Sequence, residues 1–317
     1  MTPAAARSRL RFLDAVRGLA VVTMLLGNCV DVFLRRIPSA LAHNQGDTLR
    51  GFDLPAPVFQ FLIGASLVLF LAKRVRSGLA PREAQRAAVR RFALLIALGI
   101  LLDGVGTLSW RLRWGVLQTL GLGGIVATLV AFAPAPAVAA LAAVVLALYS
   151  GPLNGEVHAS PFGAVAFVPL TLAGLLVGRA LCGPRPYADG VRVAAATAAV
   201  AGTAALALYA AGVPFNKVTG TSSFVCLTTA VASGTVAVLA AIEALAGGLP
   251  RGLVEVGQNA LNVWVLQYLL VYYPAWLLFP SWHRLRLVPG FWAIVGTTLG
   301  VSALGVALGR RGIRIPL

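Results

Sequence analysis

The sequence predicts an all-α protein that lies in a membrane as a bundle of about ten transmembrane helices. Of its 317 residues, 59% are apolar and only 11% are charged, against about 45–50% and about 25% in soluble domains. Apolar runs close to the length that spans a bilayer as a helix recur along the whole chain. Lipid offers no partner for backbone polar groups, so these runs must be helical. Ten runs are found, of which the fifth is short enough to be re-entrant: 12–34, 57–72, 91–109, 114–133, 135–150, 162–181, 193–213, 223–245, 257–279 and 289–309.

The distribution of positive charge predicts the orientation of the bundle. The net charge is +16, and with the N-terminus inside, 17 Lys and Arg residues fall in inner segments and 8 in outer ones. This bias follows the positive-inside rule, so both termini are predicted to be cytoplasmic in a multi-pass plasma-membrane protein. Residues 1–11 and 310–317 then flank one domain, 12–309. Because topology explains the excess charge, a nucleic-acid partner is not expected. The basic loop Lys73–Arg91 would suit either anionic lipid or the phosphates of a cofactor.

A polar loop between the first two spans carries the strongest chemical signal. His43 and Asp53 stand ten residues apart in a chain that has only 3 histidines and 10 acidic residues. Imidazole both takes and gives a proton near neutral pH, and a nearby carboxylate stabilises its charged form. The alternative is a loop that is polar only because it touches water. No metal-ligand spacing, phosphate loop or dinucleotide fingerprint accompanies the pair.

Polar residues inside the apolar spans are expensive and therefore candidates for function. In the first span Asp14 and Arg17, then Asn28 and Asp31, share one helix face at i, i+3 spacing. Arg17 either pairs with Asp14 or is directed into the bundle.

Polar groups also occur later in the chain. The ninth span begins with amides and a phenol that either bridge helices or face a site. Lys217, at the outer end of the eighth span, shares one predicted membrane face with His43 and Asp53. His158 and His283, in proline-bearing loops on that face, are interpreted as solvated. The remaining polar residues singled out are Gln118, Asn216, Gln258, Asn259, Asn262, Gln267 and Tyr268.

Five short signatures occur in a fixed order between about residues 12 and 270. They are Leu13-Asp14-x-x-Arg17-Gly18 with Asn28; His43, Asp53-Leu54, Pro57, Phe59, Phe61, Gly64 and Ser66; Gly115-Val116-Leu117-Gln118; Pro214-Phe215-Asn216-Lys217; and Gly257-x-Asn259-Ala260-Leu261. Each is weak alone, but the ordered set resembles the heparan-alpha-glucosaminide N-acetyltransferase family, a branch of the transmembrane acyltransferases.

The resemblance implies acyl transfer across the membrane. Acetyl-CoA or another acyl-CoA would be the co-substrate on the cytoplasmic side, and an amino sugar or other glycan would accept the acyl group outside. His43 maps onto the catalytic histidine and Asp53 onto an acid that orients it. Direct transfer is favoured over an acyl-histidine intermediate, because no residue pattern marks a two-step site. The predicted contacts to acceptor or coenzyme are Arg17, Asn28, Gln118, Asn216, Lys217 and Asn259, the last facing the same site as His43.

Departures from the family pattern leave the acceptor open. Gly46, Asp47 and Thr48 stand where the family shows Trp-Asn-Gly, and Val58 stands where it shows Trp. N- or O-acylation, acyl length and a homodimer also stay open. Two other functions compete. A transporter of a small polar or anionic solute would show internal repeats and broken helices near the midplane. A non-catalytic scaffold would tolerate replacement of His43 and Asp53.

Overall fold

The structure is a computed structural model in which the described part of the chain folds into helices joined by short loops. It describes residues 10–43, 46–108, 114–149, 153, 155–183, 185–278 and 284–315. Within these ranges no β-sheet forms, and one isolated bridge joins Leu34 to Leu285. The predicted all-α class is confirmed.

Twelve α-helices are assigned within the described ranges. They are α1 Arg11–Phe33, α2 Pro55–Arg76, α3 Pro81–Thr107, α4 Val116–Leu129, α5 Ala135–Tyr149, α6 Pro161–Ala164, α7 Val168–Leu181, α8 Pro186–Ala210, α9 Ser222–Ala246, α10 Arg251–Gln258, α11 Ala260–Gln267 and α12 Leu287–Arg310. Short 3₁₀ turns cover Ser39–Leu41, Gly51–Asp53 and Val165–Phe167, and π-helical turns cover Tyr268–Tyr272 and Pro274–Leu278.

Seven helical segments of the described chain are long and apolar enough to cross a membrane. They are Arg11–Phe33, Gly51–Arg76, Pro161–Leu181, Pro186–Ala210, Ser222–Ala246, Ala260–Leu278 and Leu287–Arg310. This agrees with the predicted membrane class, whereas the count of ten spans and the cytoplasmic termini stay predictions. The other three predicted spans are also helical. α3 starts with a charged stretch, and α4 and α5 have only 14 and 15 residues.

Contacts at the helix ends define two ends of the bundle. At one end Glu243 accepts a hydrogen bond from the Phe12 backbone, and Glu255 forms an ion pair with Arg310. At the other end the backbone N–H of Arg35 donates to Leu285. The first is the end predicted to be cytoplasmic. It is named the inner end, and the opposite end is named the outer end.

Helix α1 lies at the centre of the bundle and contacts α2, α9, α10, α11 and α12. Its approach to α10 depends on glycine, because a Cβ atom on Gly257 would overlap the backbone carbonyl of Asp14. Glycine at such positions lets two helix backbones touch. In contrast, α5 and α8 bury only three residues each, so most of their side chains lie on the outside of the bundle. The contact between α1 and α10 brings the carbonyl of Gly257 to Arg17.

Candidate functional site

A cavity of about 1310 Å³ enters the bundle from the inner end. Its mouth is lined by cations: Lys73, Arg76, Arg91 and Arg314. Its far wall is apolar and is formed by Met24 of α1, Leu95 of α3, Val116, Leu117 and Leu120 of α4, and Trp264 of α11. The cavity therefore changes from positively charged to apolar as it runs toward the outer end.

Arg17 lies in the wall of this cavity and is held from three directions. Its guanidinium donates to Asp14 Oδ1 at 2.8 Å, to Ser66 Oγ at 2.7 Å and to the carbonyl of Gly257 at 3.4 Å. The Gln258 amide donates to the other oxygen of Asp14 at 3.2 Å. Of the two alternatives for Arg17, the pair with Asp14 forms, and the residue still faces the cavity.

Asn259 also lines the cavity, but in its inner half. Its Nδ2 donates to the carbonyl of Glu255 at 2.8 Å, and its side chain packs against Gly309 near the inner end of α12. Asn259 breaks the helix between α10 and α11. Asn259 and His43 therefore lie toward opposite ends of the bundle, and a binding role for Asn259 stays a prediction.

His43 lies at the outer end, where the loop after α1 folds back over the last turn of that helix. Its Nε2 is 3.1 Å from Asp31 Oδ2, and the two side chains are 31% and 44% exposed. The ring centroids of His43 and Phe52 are 6.4 Å apart. Asn28 lies one turn earlier on the face that carries Asp31 and is half-buried. The carboxylate partner of His43 is thus Asp31, where the sequence predicted Asp53.

Asp53 pairs with Lys217 instead. Asp53 is completely buried, its Oδ1 lies 3.8 Å from the ammonium nitrogen, and its Oδ2 accepts the backbone N–H of Arg50 at 2.7 Å. Lys217 is only 15% exposed. Burial lowers the pKa of Lys217, while the negative charges of Asp53 and Asp31 oppose that shift. Lys217 therefore joins the Asp53 pair and the His43 pair into one charged cluster.

Asn216 supports this cluster by fixing its loop. Its side-chain Nδ2 donates to Asp47 Oδ1 at 2.8 Å, and its side-chain Oδ1 accepts the backbone N–H groups of Val218 and Thr219. An Asn side chain that caps the following backbone in this way stabilises a turn. The predicted binding residue Asn216 thus holds the loop of Lys217 against the loop of His43 and Asp53.

His158 is not the solvated residue that the sequence suggested. Its Nδ1 is 3.3 Å from Thr119 Oγ1 and its ring packs edge-on against Phe167. Its Nε2 is inaccessible and has no hydrogen-bond partner among the described residues. Burial, together with the positive charge of Lys217, lowers the pKa of His158 to about 4. The imidazole is therefore neutral at physiological pH. The other histidine interpreted as solvated, His283, lies outside the described residues.

Gln118 belongs to a separate polar network in the outer half of the bundle. Its amide donates to Asp103 Oδ2 at 2.9 Å, and the hydroxyl of Tyr268 donates to Asp103 Oδ1 at 3.0 Å. The network joins α3, α4 and the π-helical turn Tyr268–Tyr272. Sequence reasoning missed Asp103, although an acid inside the apolar run 91–109 was a signal.

The cavity and the outer cluster do not merge. The described residues that line the cavity do not include His43, Asp53 or Lys217. Met24 lies at the apolar end of the cavity, and Asn28 is one helical turn, about 6 Å, further along α1. Phe52 packs on Gly27 between these levels. Side chains at the level of Phe52 thus separate the cavity from the outer cluster.

Fold and site together define a helical membrane protein with a cation-lined inner cavity and a histidine–carboxylate pair at its outer end. A family model described as "Heparan-alpha-glucosaminide N-acetyltransferase, catalytic" matches residues 9–214, and the chain belongs to that family. It is 32% identical over 121 residues to mouse (Mus musculus) heparan-alpha-glucosaminide N-acetyltransferase. That alignment covers 36% of this chain and 18% of the mouse protein. The alignment therefore spans less than a fifth of the length of the mouse protein.

Proposed function

We propose that this protein transfers an acetyl or other acyl group from cytoplasmic acyl-CoA to an amine or hydroxyl of a sugar-like acceptor at the outer face. The observation that carries the proposal is the cavity, whose wall changes from cationic at the inner mouth to apolar near the level of Asn28. Acyl-CoA has a matching order, because its head carries phosphate groups and its long arm ends in the thioester.

The inner mouth fits the phosphates of coenzyme A. Lys73 and Arg76 lie in the last turn of α2, and Arg91 lies on α3. Arg74 and Arg91 both lie over the ring of Phe70, at 5.3 and 5.5 Å from its centroid. Among the described residues, Lys73, Arg76 and Arg91 form no ion pair with a carboxylate. Their charge is therefore available for an anionic ligand.

His43 acts as the general base in this proposal. It accepts a proton from the attacking amine or hydroxyl as the new C–N or C–O bond forms at the thioester carbonyl. Asp31 stabilises the imidazolium, and His43 then returns the proton to the thiolate released when the C–S bond breaks. The products are the acylated acceptor and free coenzyme A. In the same proposal Lys217 stabilises the developing oxyanion.

Transfer in this form requires movement of the layer at Phe52. The ring of Phe52 packs on Gly27 and lies beside His43, so Phe52 is one of the side chains that must shift before thioester and base can meet. Phe52 belongs to the short 3₁₀ turn Gly51–Asp53, which is held by the hydrogen bond from the Arg50 N–H to the Asp53 carboxylate.

Incubation of the purified protein with labelled acetyl-CoA and a panel of amino sugars and hydroxylated glycans tests the proposal. We expect label on at least one acceptor, and a fall in kcat of about 10²-fold or more for His43→Gln. Arg36→Gln is the matched control, since Arg36 is an exposed residue of the same outer loop and is expected to leave kcat unchanged.

Two results would contradict the proposal. One is a folded wild type that neither binds coenzyme A nor labels any acceptor. The other is His43→Gln transferring label as fast as the wild type, which would leave the histidine without a catalytic function. Solute uptake without acyl transfer in vesicles would support the transporter alternative instead.

A further inference from the structure

The last described residues of the chain fold back under the bundle as an ordered strap, defined as residues 311–315. Helix α12 ends at Arg310, and Gly312 takes a φ of +79°, a left-handed conformation that favours glycine. The N–H of Ile313 then donates to the carbonyl of Leu308 at 3.0 Å. This turn reverses the chain, so the strap runs back toward the cavity.

The side chain of Asn262, on α11, forms hydrogen bonds with the strap backbone on both sides of Arg314. The Asn262 amide donates to the carbonyl of Ile313 at 2.8 Å, and its oxygen accepts the N–H of Ile315 at 3.0 Å. Asn262 is itself buried, at 7% exposure. Both hydrogen-bonding functions of one buried amide thus hold the strap.

The two hydrogen bonds from Asn262 hold the strap so that the cation Arg314 lies at the mouth of the cavity. Arg314 and Ile315 are part of the cavity wall, together with Asn262 itself. Arg314 is exposed, and among the described residues it forms no ion pair with a carboxylate. Lys73, Arg76 and Arg91 approach the same cavity from α2 and α3. The strap thus adds a cation from a distant part of the sequence.

We propose that the strap is part of the acyl-CoA site, and that Arg314, positioned by Asn262, binds a phosphate group of the coenzyme. The inference rests on the proposed function and adds to it a binding residue and the residue that positions it. Guanidinium and phosphate form strong charge-assisted hydrogen bonds, and a clamped backbone reduces the entropy lost on binding.

Titration calorimetry of the full chain with coenzyme A, and with phosphate-free pantetheine as the second probe, tests this proposal. We expect Arg314→Ala and Asn262→Leu each to raise the Kd for coenzyme A about tenfold, with no change for pantetheine. Arg314→Lys keeps the charge and should retain most of the affinity. Arg311→Ala removes a neighbouring exposed cation outside the cavity wall, and is expected to bind like the wild type. Thermal unfolding identifies any variant that is merely less stable.

The outcomes separate the strap from the proposed function. If the wild type binds coenzyme A and both variants bind it equally well, the strap is not part of the site, although the proposed function stands. If the folded wild type binds no coenzyme A, the proposed function fails first. Anionic lipid is the other source of phosphate, so the titrations are repeated in nanodiscs with and without it. A loss confined to lipid binding in Arg314→Ala would overturn the proposal.

Discussion

Replacement of Asp53 by Asn tests whether the buried pair with Lys217 holds the outer cluster together. The charged atoms are 3.8 Å apart, so at an effective dielectric constant of about 20 their attraction is about 4 kcal/mol. Asn is close in shape and can still accept the N–H of Arg50. The loss therefore comes from the charge, because Lys217 becomes a mostly buried cation without its partner. We expect the free energy of unfolding to fall by about 3 kcal/mol.

The pH dependence of this loss identifies its cause. Burial already lowers the pKa of Lys217, and Asp53 opposes that shift, so the Asp53→Asn variant lowers the pKa further. In the variant, Lys217 then binds a proton more weakly in the folded than in the unfolded chain. The resulting loss of stability becomes smaller as pH rises toward the ordinary lysine pKa, because Lys217 is then neutral in a growing fraction of both states. Thermal unfolding in detergent should show a smaller difference from wild type at about pH 9 than at about pH 7.

A double variant supplies the control and the refutation for Asp53→Asn. Lys217→Met combined with Asp53→Asn removes the unpaired charge, and should recover most of the stability that the single variant loses. The reasoning fails if Asp53→Asn unfolds at the wild-type temperature, or if the double variant is no more stable than the single one.

Three further changes test the other parts of the outer site. Asp31→Asn should lower kcat by about 10²-fold with little change in stability, because the imidazolium of His43 loses its carboxylate; an unchanged kcat in a steady-state assay would remove Asp31 from the mechanism. Gly27→Ala places a Cβ 2.9 Å from Cγ of Phe52, so acyl transfer should slow in the same assay. Adding Phe52→Leu to this variant should restore the rate, and failure of that rescue would mean that Phe52 is not the obstacle. The wild type should lose up to about 3 kcal/mol of stability as pH falls from 6.5 to about 4, since the unfolded chain protonates His158 before the folded state does. His158→Asn should flatten the acid side of the thermal-unfolding profile, and an unaltered profile would show that His158 is already solvated.

The fold class was predictable because the hydrophobic length of a bilayer is a strong physical constraint on each span. Each of the ten apolar runs overlaps a helix of the structure, including the run at 257–279, which is broken at Asn259. The pair of Asp14 and Arg17 was also accessible, since i, i+3 spacing on a helix fixes which side chains meet. Local periodicity therefore predicted what depends on one helix alone.

The partner of His43 could not be predicted in the same way. In residues 35–43 and 46–53 the structure has two 3₁₀ turns and otherwise irregular backbone, where sequence spacing does not fix distance. The loop folds back, so an acid twelve residues before His43 is its partner and the acid ten residues after it is not. His158 was misjudged for a related reason, because a proline-bearing loop need not face water when another loop covers it. These contacts depend on tertiary packing.

Helix α1 explains why the chemistry is divided between two ends. Its ionisable and amide residues lie at the inner end, with Arg17, and at the outer end, with Asn28 and Asp31. Eleven residues, about 16 Å of helix, separate Arg17 from Asn28. No side chain spans that distance, so a base at the outer end can reach a cytoplasmic acyl donor only if the donor has an extended arm that lies along the helix. The side chains of α1 that line the cavity between those levels, Val21 and Met24, are apolar, as such an arm requires. A small hydrophilic donor would have no such match, so the proposed function is more consistent with a long thioester.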